Sequence, residues 1–361
     1  GVAQLCVTLD GAEAGVAVGD GRDADGVVVL EERDEPLVAL RFGRTARASV
    51  AGFEVVARRA EDAGRLAVGV LLDLAGHAGG DLEVAVNLVE LERERVDRGI
   101  RAGLEGDRVL RRNGVQLGAR ERHPPLADLR YGSHPREVID LFRAQNAKGA
   151  CLFIHGGYWR SFSKNEFSWV VEALLKESIT VAVVNYPLCP EVTIADIVTS
   201  LRKAVVALAK THLTPKEKAK WIVSGHSAGG YLAAAMSATN WKAQGLDGQV
   251  FCGVVPVSGV FDVRPLIHTS INEQLRLTKE SADALTLFDQ RPHDPIPMVP
   301  IYGAQESSEF CRHSLDLAKL WPRSEAAIGI EERNHFNVIE GIKDPHSIFF
   351  KTLMRLLGLD D

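Results

Sequence analysis

The chain is predicted to hold an α/β domain with a mostly parallel central sheet, preceded by a small β-rich domain. Three observations predict it. From residue 151 onward, short β-branched runs alternate with stretches of helical period, the rhythm of a sheet covered by helices on both faces. Over the first 95 residues only short alternating apolar and polar runs occur, separated by DG, AGG and RDEP breaks, as antiparallel strands and tight turns require. Every lysine lies at or after Lys148, whereas the residues before it use arginine alone. At 361 residues the chain also has room for two domains of roughly 150 residues each.

Taken in order, the stretch from Val28 to Phe42 reads as a hairpin around a Pro-containing break, and LAVGVLLDL and LEVAVNLVEL repeat the pattern. The division expected is a β-rich domain at 1–95, an Arg- and Glu-rich connector at 96–128 and the α/β domain at 129–361. The first domain holds neither tyrosine nor tryptophan and its His77 stands alone in LAGHAGG. An accessory or oligomerising role, as in a homodimer, is what it offers. In the α/β domain the expected strands are CLFI (151–154), TVAVVNY (180–186), KWIVSG (220–225), GVVPVSG (253–259) and MVPIYG (298–303). FSWVVEALLKES and ADIVTSLRKAVVALAKTHL are read as helices between them.

Composition narrows the function. Hydrophobic residues at 46% and charged residues at 25% suit a soluble globular protein, and a net charge of -6 gives no basic footprint for nucleic acid. No run approaches the roughly 20 apolar residues of a membrane span. Five cysteines without CxxC spacing suggest neither a zinc site nor a disulfide framework, and no cofactor is expected. The first fifteen residues have no basic segment and meet Asp10 early, so a cytoplasmic location is expected. The opening Gly1 in place of Met leaves room for residues upstream.

In open parallel sheets ligands gather at the carboxyl ends of strands, and there the unusual residues fall. WIVSGHSAGG contains Gly225, His226, Ser227, Ala228 and Gly229 between a strand and a helix of small residues. A Gly-x-Ser-x-Gly in that context is a nucleophile elbow: the serine needs a strained turn, and the flanking glycines leave space for it. A serine hydroxyl attacks only when a base takes its proton, so an acid and then a histidine should follow. His335 in ERNHFNVIE is best placed as base, ahead of His268, His293, His313 and His346. Glu306, three residues beyond Gly303, is the expected orienting acid; Glu309 fits the first turn of a helix better, and Asp262 is an outside candidate.

CLFIHGGYWR supplies the remaining part. When a carbonyl is attacked, negative charge develops on its oxygen, and backbone N–H groups must already point there. Ala228 provides one, and Gly156 and Gly157 the others, from a loop whose lack of Cβ atoms allows close approach. His155 would hold that loop, with Tyr158, Trp159 and His226 lining the pocket.

With these residues in view, the chain from about Leu129 onward resembles the kynurenine formamidase (arylformamidase) group of α/β-hydrolases. HGGYW at 155–159 looks like the group's oxyanion signature, GHSAG at 225–229 like its elbow, and NYPLCPEVTIADIV (185–198) like its stretch after the fourth strand. LRYGSHPREVIDLF resembles its opening strand. GAQESSEF resembles its acid loop, where aspartate is frequent and Glu306 a departure. The resemblance implies an α/β-hydrolase fold and hydrolysis of N-formylkynurenine to kynurenine and formate through an acyl-enzyme. Broad carboxylesterase activity on aryl or short-chain acyl esters is the alternative on the same scaffold. A non-catalytic binding or scaffold protein that kept the fold is the alternative of another class. The partner implied is a small formamide or ester.

Overall fold

The computed structural model describes residues 115–292 and 295–360 and, ahead of them, the backbone of six strands. Packing divides the chain into two compact units, Gly1–Leu88 and Val89–Asp361. In the first, β1 (Ala3–Leu9), β2 (Ala12–Val18), β3 (Gly26–Leu30) and β4 (Val38–Phe42) form one sheet in that order, and β5 (Val56–Ala60) pairs with β6 (Arg65–Gly69). β3 and β4 are antiparallel with Gly26 opposite Phe42, the hairpin expected there. LEVAVNLVEL and His77 lie outside the described residues, as does His293.

The second unit carries an eight-stranded sheet. Its strands are β7 (Leu126–Arg130), β8 (Val138–Phe142), β9 (Gly149–Ile154), β10 (Ile179–Val184), β11 (Trp221–His226), β12 (Gly253–Val257), β13 (Ile301–Gly303) and β14 (Ile328–Ile330). Its described helices of eight residues or more are α1 (Val115–Arg122), α2 (Ile194–Ala207), α3 (Ala228–Ser237), α4 (Ser308–Leu320) and α5 (Ile348–Leu356). The strand order is β14-β13-β12-β11-β9-β10-β8-β7. β9 to β14 pair parallel, and β8 is antiparallel to both β7 and β10.

Side-chain alternation explains why the central strands form. Ala150, Leu152 and Ile154 of β9 enter one apolar layer with α2 and α3, while Cys151 and Phe153 enter another with Phe349 and Leu353 of α5. A strand buried on both faces reads as a continuous apolar run, which is why CLFI was legible. α2 starts at Thr193, whose hydroxyl accepts from the Asp196 N–H while the Asp196 carboxylate accepts from Thr193 N–H, a capping box.

Two elements differ from expectation. LRYGSHPREVIDLF is not one strand but the end of β7, a turn and β8, because Gly132 and Pro135 break it and the Glu137 carboxylate accepts from His134 N–H at 3.0 Å to close the turn. MVPIYG yields a strand only from Ile301, since Pro297 and Pro300 lack the N–H a ladder needs; Met298 makes isolated bridges to Val254 and Ser324. The 96–128 stretch contains α1, where Arg120 pairs with buried Asp140 of β8. No described helix is long and apolar enough to cross a membrane.

Candidate active site

β11 delivers Ser227 to the carboxyl end of the sheet, and α3 departs immediately after it. Ser227 has φ 56 and ψ -119, a conformation strained for a residue with a Cβ. It is held from both sides: its N–H donates to Val257 O at 2.8 Å and its carbonyl accepts from Tyr231 N–H at 3.1 Å. The elbow is tight because α3 lies directly on β9. A Cβ on Gly229 would stand 2.0 Å from the carbonyl oxygen of Ile154.

Two other loops meet the serine. His335 Nε2 lies 3.0 Å from Ser227 Oγ, and His335 Nδ1 lies 2.9 Å from Glu306 Oε2. Glu306 follows β13, and its other oxygen, Oε1, accepts from the Ser258 hydroxyl at 2.5 Å and from Gly303 N–H at 2.7 Å. The Glu306 side chain is 0% exposed and that of His335 16%. Burial by itself would raise the Glu306 carboxyl; the hydrogen bond and charge of His335, then the Ser258 and Gly303 donors, outweigh it and hold the group below its ordinary range. An ionised Glu306 accepts, so His335 Nδ1 donates to it and Nε2 presents a lone pair to the serine O–H.

The His335 ring is itself packed. Phe310, one turn beyond Glu306 on α4, lies 4.2 Å away between centroids, and His226 lies 4.8 Å away. His226 Nε2 is 2.7 Å from the carbonyl oxygen of His335, so that nitrogen carries the proton. Burial, and then the neighbouring His335, push His226 down to about 3, leaving a neutral donor that ties down the backbone of the residue beside it.

The HGG loop sits against the elbow: a Cβ on Gly156 would be 2.8 Å from His226 O and 3.2 Å from Ser227 Cβ. Its carbonyls are turned away. His155 Nδ1 donates to Gly156 O at 2.7 Å, and the Tyr186 hydroxyl donates to His155 O at 2.8 Å. The two rings stack at 4.3 Å. Burial holds His155 down to about 3. In a trans peptide the N–H opposes the C=O, so tying Gly156 O back turns Gly157 N–H the other way. Gly157 itself has φ 110, and its own carbonyl accepts from Arg160 and Ser161 N–H. The N–H groups of Gly156, Gly157 and Ala228 donate to no described backbone carbonyl.

Tyr158 and Trp159 take different places. Packing pushes the Tyr158 phenol up to about 12, and its neighbours include Arg160 and Glu306. Trp159 is 0% exposed, in the apolar layer under the loop, edge-on to Tyr231 of α3 at 5.4 Å.

The competing residues are engaged elsewhere. Asp262 accepts from Arg264 and Thr286, and Glu309 pairs with Arg312 at the surface. His313 Nδ1 accepts from Phe261 N–H; His268 closes a short 3-10 turn and His346 is exposed. Three contributors went unread in the sequence: Ser258, Tyr186, and Arg136, which donates to Tyr186 O at 2.8 Å and to Phe162 O at 2.5 Å. Ser258 stands at the end of a predicted strand, a position that could have marked it.

Comparisons with known proteins bear on the fold and the family. A family profile described as the α/β hydrolase fold matches residues 151–309. The chain is 26% identical to a kynurenine formamidase of Danio rerio over 251 residues, 66% of this chain and 84% of that one. It is 25% identical to a kynurenine formamidase of Salmo salar over 295 residues, 76% and 97% of the two. Among solved structures, a candidate thioesterase from Silicibacter sp. superposes with a TM-score of 0.59 at 31% identity, covering 67% of this chain and 90% of that one. By its strand order, its elbow and these relatives, the chain is a hydrolase and belongs to the kynurenine formamidase-like α/β-hydrolases.

Proposed function

We propose that the protein is a serine hydrolase that opens a small formamide or ester through an acyl-enzyme on Ser227, with N-formylkynurenine as substrate. The observation that carries this is the continuous line from Glu306 Oε2 through His335 to Ser227 Oγ, with steps of 2.9 and 3.0 Å. In the first half-reaction His335 Nε2 takes the Ser227 proton as Oγ bonds to the carbonyl carbon. The oxygen's new charge is met by the N–H groups of Ala228, Gly156 and Gly157. His335 then returns the proton to the leaving amine or alcohol as its bond to carbon breaks, leaving an acyl group, formyl in the proposed case, on Ser227. In the second half, water attacks with His335 again as base and releases the acid, formate. Glu306 stays ionised throughout and supports the imidazolium.

The formamide is favoured by the two fish relatives, both kynurenine formamidases by name. A broader ester or thioester specificity is favoured by the Silicibacter protein, the more identical of the three at 31%. Purified protein offered N-formylkynurenine beside p-nitrophenyl acetate separates them. Release of kynurenine is the expected outcome, and turnover of the ester alone would remove the formamidase reading. A phosphonate probe should label Ser227; folded protein that resists it would be a scaffold without the chemistry.

A further inference from the structure

Ser258 has no part in bond making, yet it is bonded to the one group on which the base depends. It follows β12, and Gly303 ends β13. These neighbouring parallel strands pair at Val257 and Ile301, and Ser258 N–H donates to Ile301 O at 2.8 Å. The Ser258 side chain and the Gly303 N–H therefore converge on Glu306 Oε1 from two adjacent strand ends, while Oε2 alone faces His335. Ser258 is 0% exposed, and its backbone has φ 50, a left-handed value that a side chain resists unless its surroundings require it.

We infer that Ser258 is a positioning residue of this hydrolase, whose hydroxyl pins one oxygen of Glu306 so that the other stays ionised and aimed at His335. The inference rests on the proposed serine mechanism, within which it assigns a fourth group. The carboxylate needs its donors most when no imidazolium faces it, that is, when His335 is neutral and the site is active. Taking a donor away from Glu306 therefore makes the Glu306–His335 pair bind its first proton more readily, and the pH at which activity is lost on acidification rises. The other titratable groups facing the pair are His226 from β11, Tyr158 from the HGG loop and Cys311 from α4. Burial pushes His226 down to about 3, Tyr158 up to about 12 and the Cys311 thiol upward. None of them changes charge between about pH 5 and 8, so the acid limb belongs to the pair.

The test is kcat and kcat/KM for p-nitrophenyl acetate across pH in wild type, Ser258→Ala and Ser258→Gly, with the protonation of the His335 ring followed by NMR in the same proteins. Ser258→Gly removes the hydroxyl and also relieves the backbone, so it separates the two. Both variants should lose kcat roughly tenfold with little change in KM, and both should move the acid limb up by about half a pH unit to one. An unmoved limb in both variants overturns the inference, as does a limb that moves in Ser258→Ala but not in Ser258→Gly, which would trace the effect to the backbone. If wild type neither turns over ester or formamide nor takes a phosphonate, the serine mechanism falls. The NMR titration then still decides about the clamp: an upward shift in both variants supports it, and none sinks it.

Discussion

The two sides of the site are held by different physics. On the Ser227 side, backbone meets backbone: α3 rests on β9, and Gly229 stands where any Cβ would strike the Ile154 carbonyl oxygen at 2.0 Å. On the Glu306–His335 side such an approach occurs at Gly303, where a Cβ would stand 2.3 Å from the carbonyl oxygen of Arg333, but the catalytic side chains themselves are held otherwise. There a sealed carboxylate and a histidine 16% exposed are aligned by side-chain hydrogen bonds from Ser258 and His226 and by the face of Phe310. The first side is specified chiefly by steric exclusion, and the second depends in addition on the orientation of side-chain donors. Damage to the first should therefore appear as lost folding, and damage to the second as lost rate or a moved pH profile.

The largest effect falls where the two sides meet. Ser227→Ala should lower kcat by a factor on the order of 10⁵ to 10⁶, as removal of a serine nucleophile does, with the unfolding midpoint unchanged. Ser227→Gly should be equally inactive but more stable by about 1 kcal/mol, since a glycine adopts φ 56 without strain. Ester turnover and denaturant unfolding of the two variants check this. Equal stability would mean the elbow stores no strain.

Next in size is Glu306→Gln, expected to cut kcat by a factor on the order of 10³, because an amide in place of the carboxylate no longer fixes the His335 tautomer or supports its charge. The fold should survive, judged by an unchanged unfolding midpoint. A silent Glu306→Gln beside a dead Asp262→Asn would move the acid to Asp262, whose carboxylate is bound to Arg264 and Thr286.

The contrast also explains what could be read from the chain alone. Steric demands leave signatures in residue type: only glycine fits at Gly229 and Gly156, and a strand buried on both faces must be apolar throughout, as CLFI is. Hence the central strands, the elbow and the HGG loop were legible. Donor alignment leaves no such mark. Ser258 is an ordinary serine after a strand, Arg136 an ordinary arginine in a turn, and their roles exist only once distant segments meet. β14 escaped for a related reason: three half-buried residues, Ile328–Ile330, carry too little pattern to announce a strand.

Gly229→Ala sharpens the first half of the comparison. A methyl 2.0 Å from a backbone oxygen cannot be relieved by turning a side chain, so α3 must lift from β9 and open the layer between them. A loss of about 3 kcal/mol is expected, readable by urea unfolding, and because α3 begins at Ala228 the turnover of the molecules that remain folded falls with it. A variant that keeps wild-type stability but loses its rate would show that the elbow too is a matter of orientation.

The smallest effect tests the second half. His226 and Ser258 both support the acid–base pair, but from different ends: Ser258 bonds a charged group, whereas neutral His226 donates to the carbonyl of His335. His226→Phe keeps the aromatic packing against His335 and leaves that carbonyl without its donor, at a cost of about 1 kcal/mol. The His335 backbone gains freedom, and kcat should fall by no more than about fivefold, equivalent to that loss. Because His226 is held near 3 by burial and by its neighbour, it carries no charge at working pH to give up. The acid limb should therefore stay where it is in His226→Phe while it rises in Ser258→Ala. A limb that moved in both would mean that His226 acts on the pair through its dipole rather than through the backbone it holds.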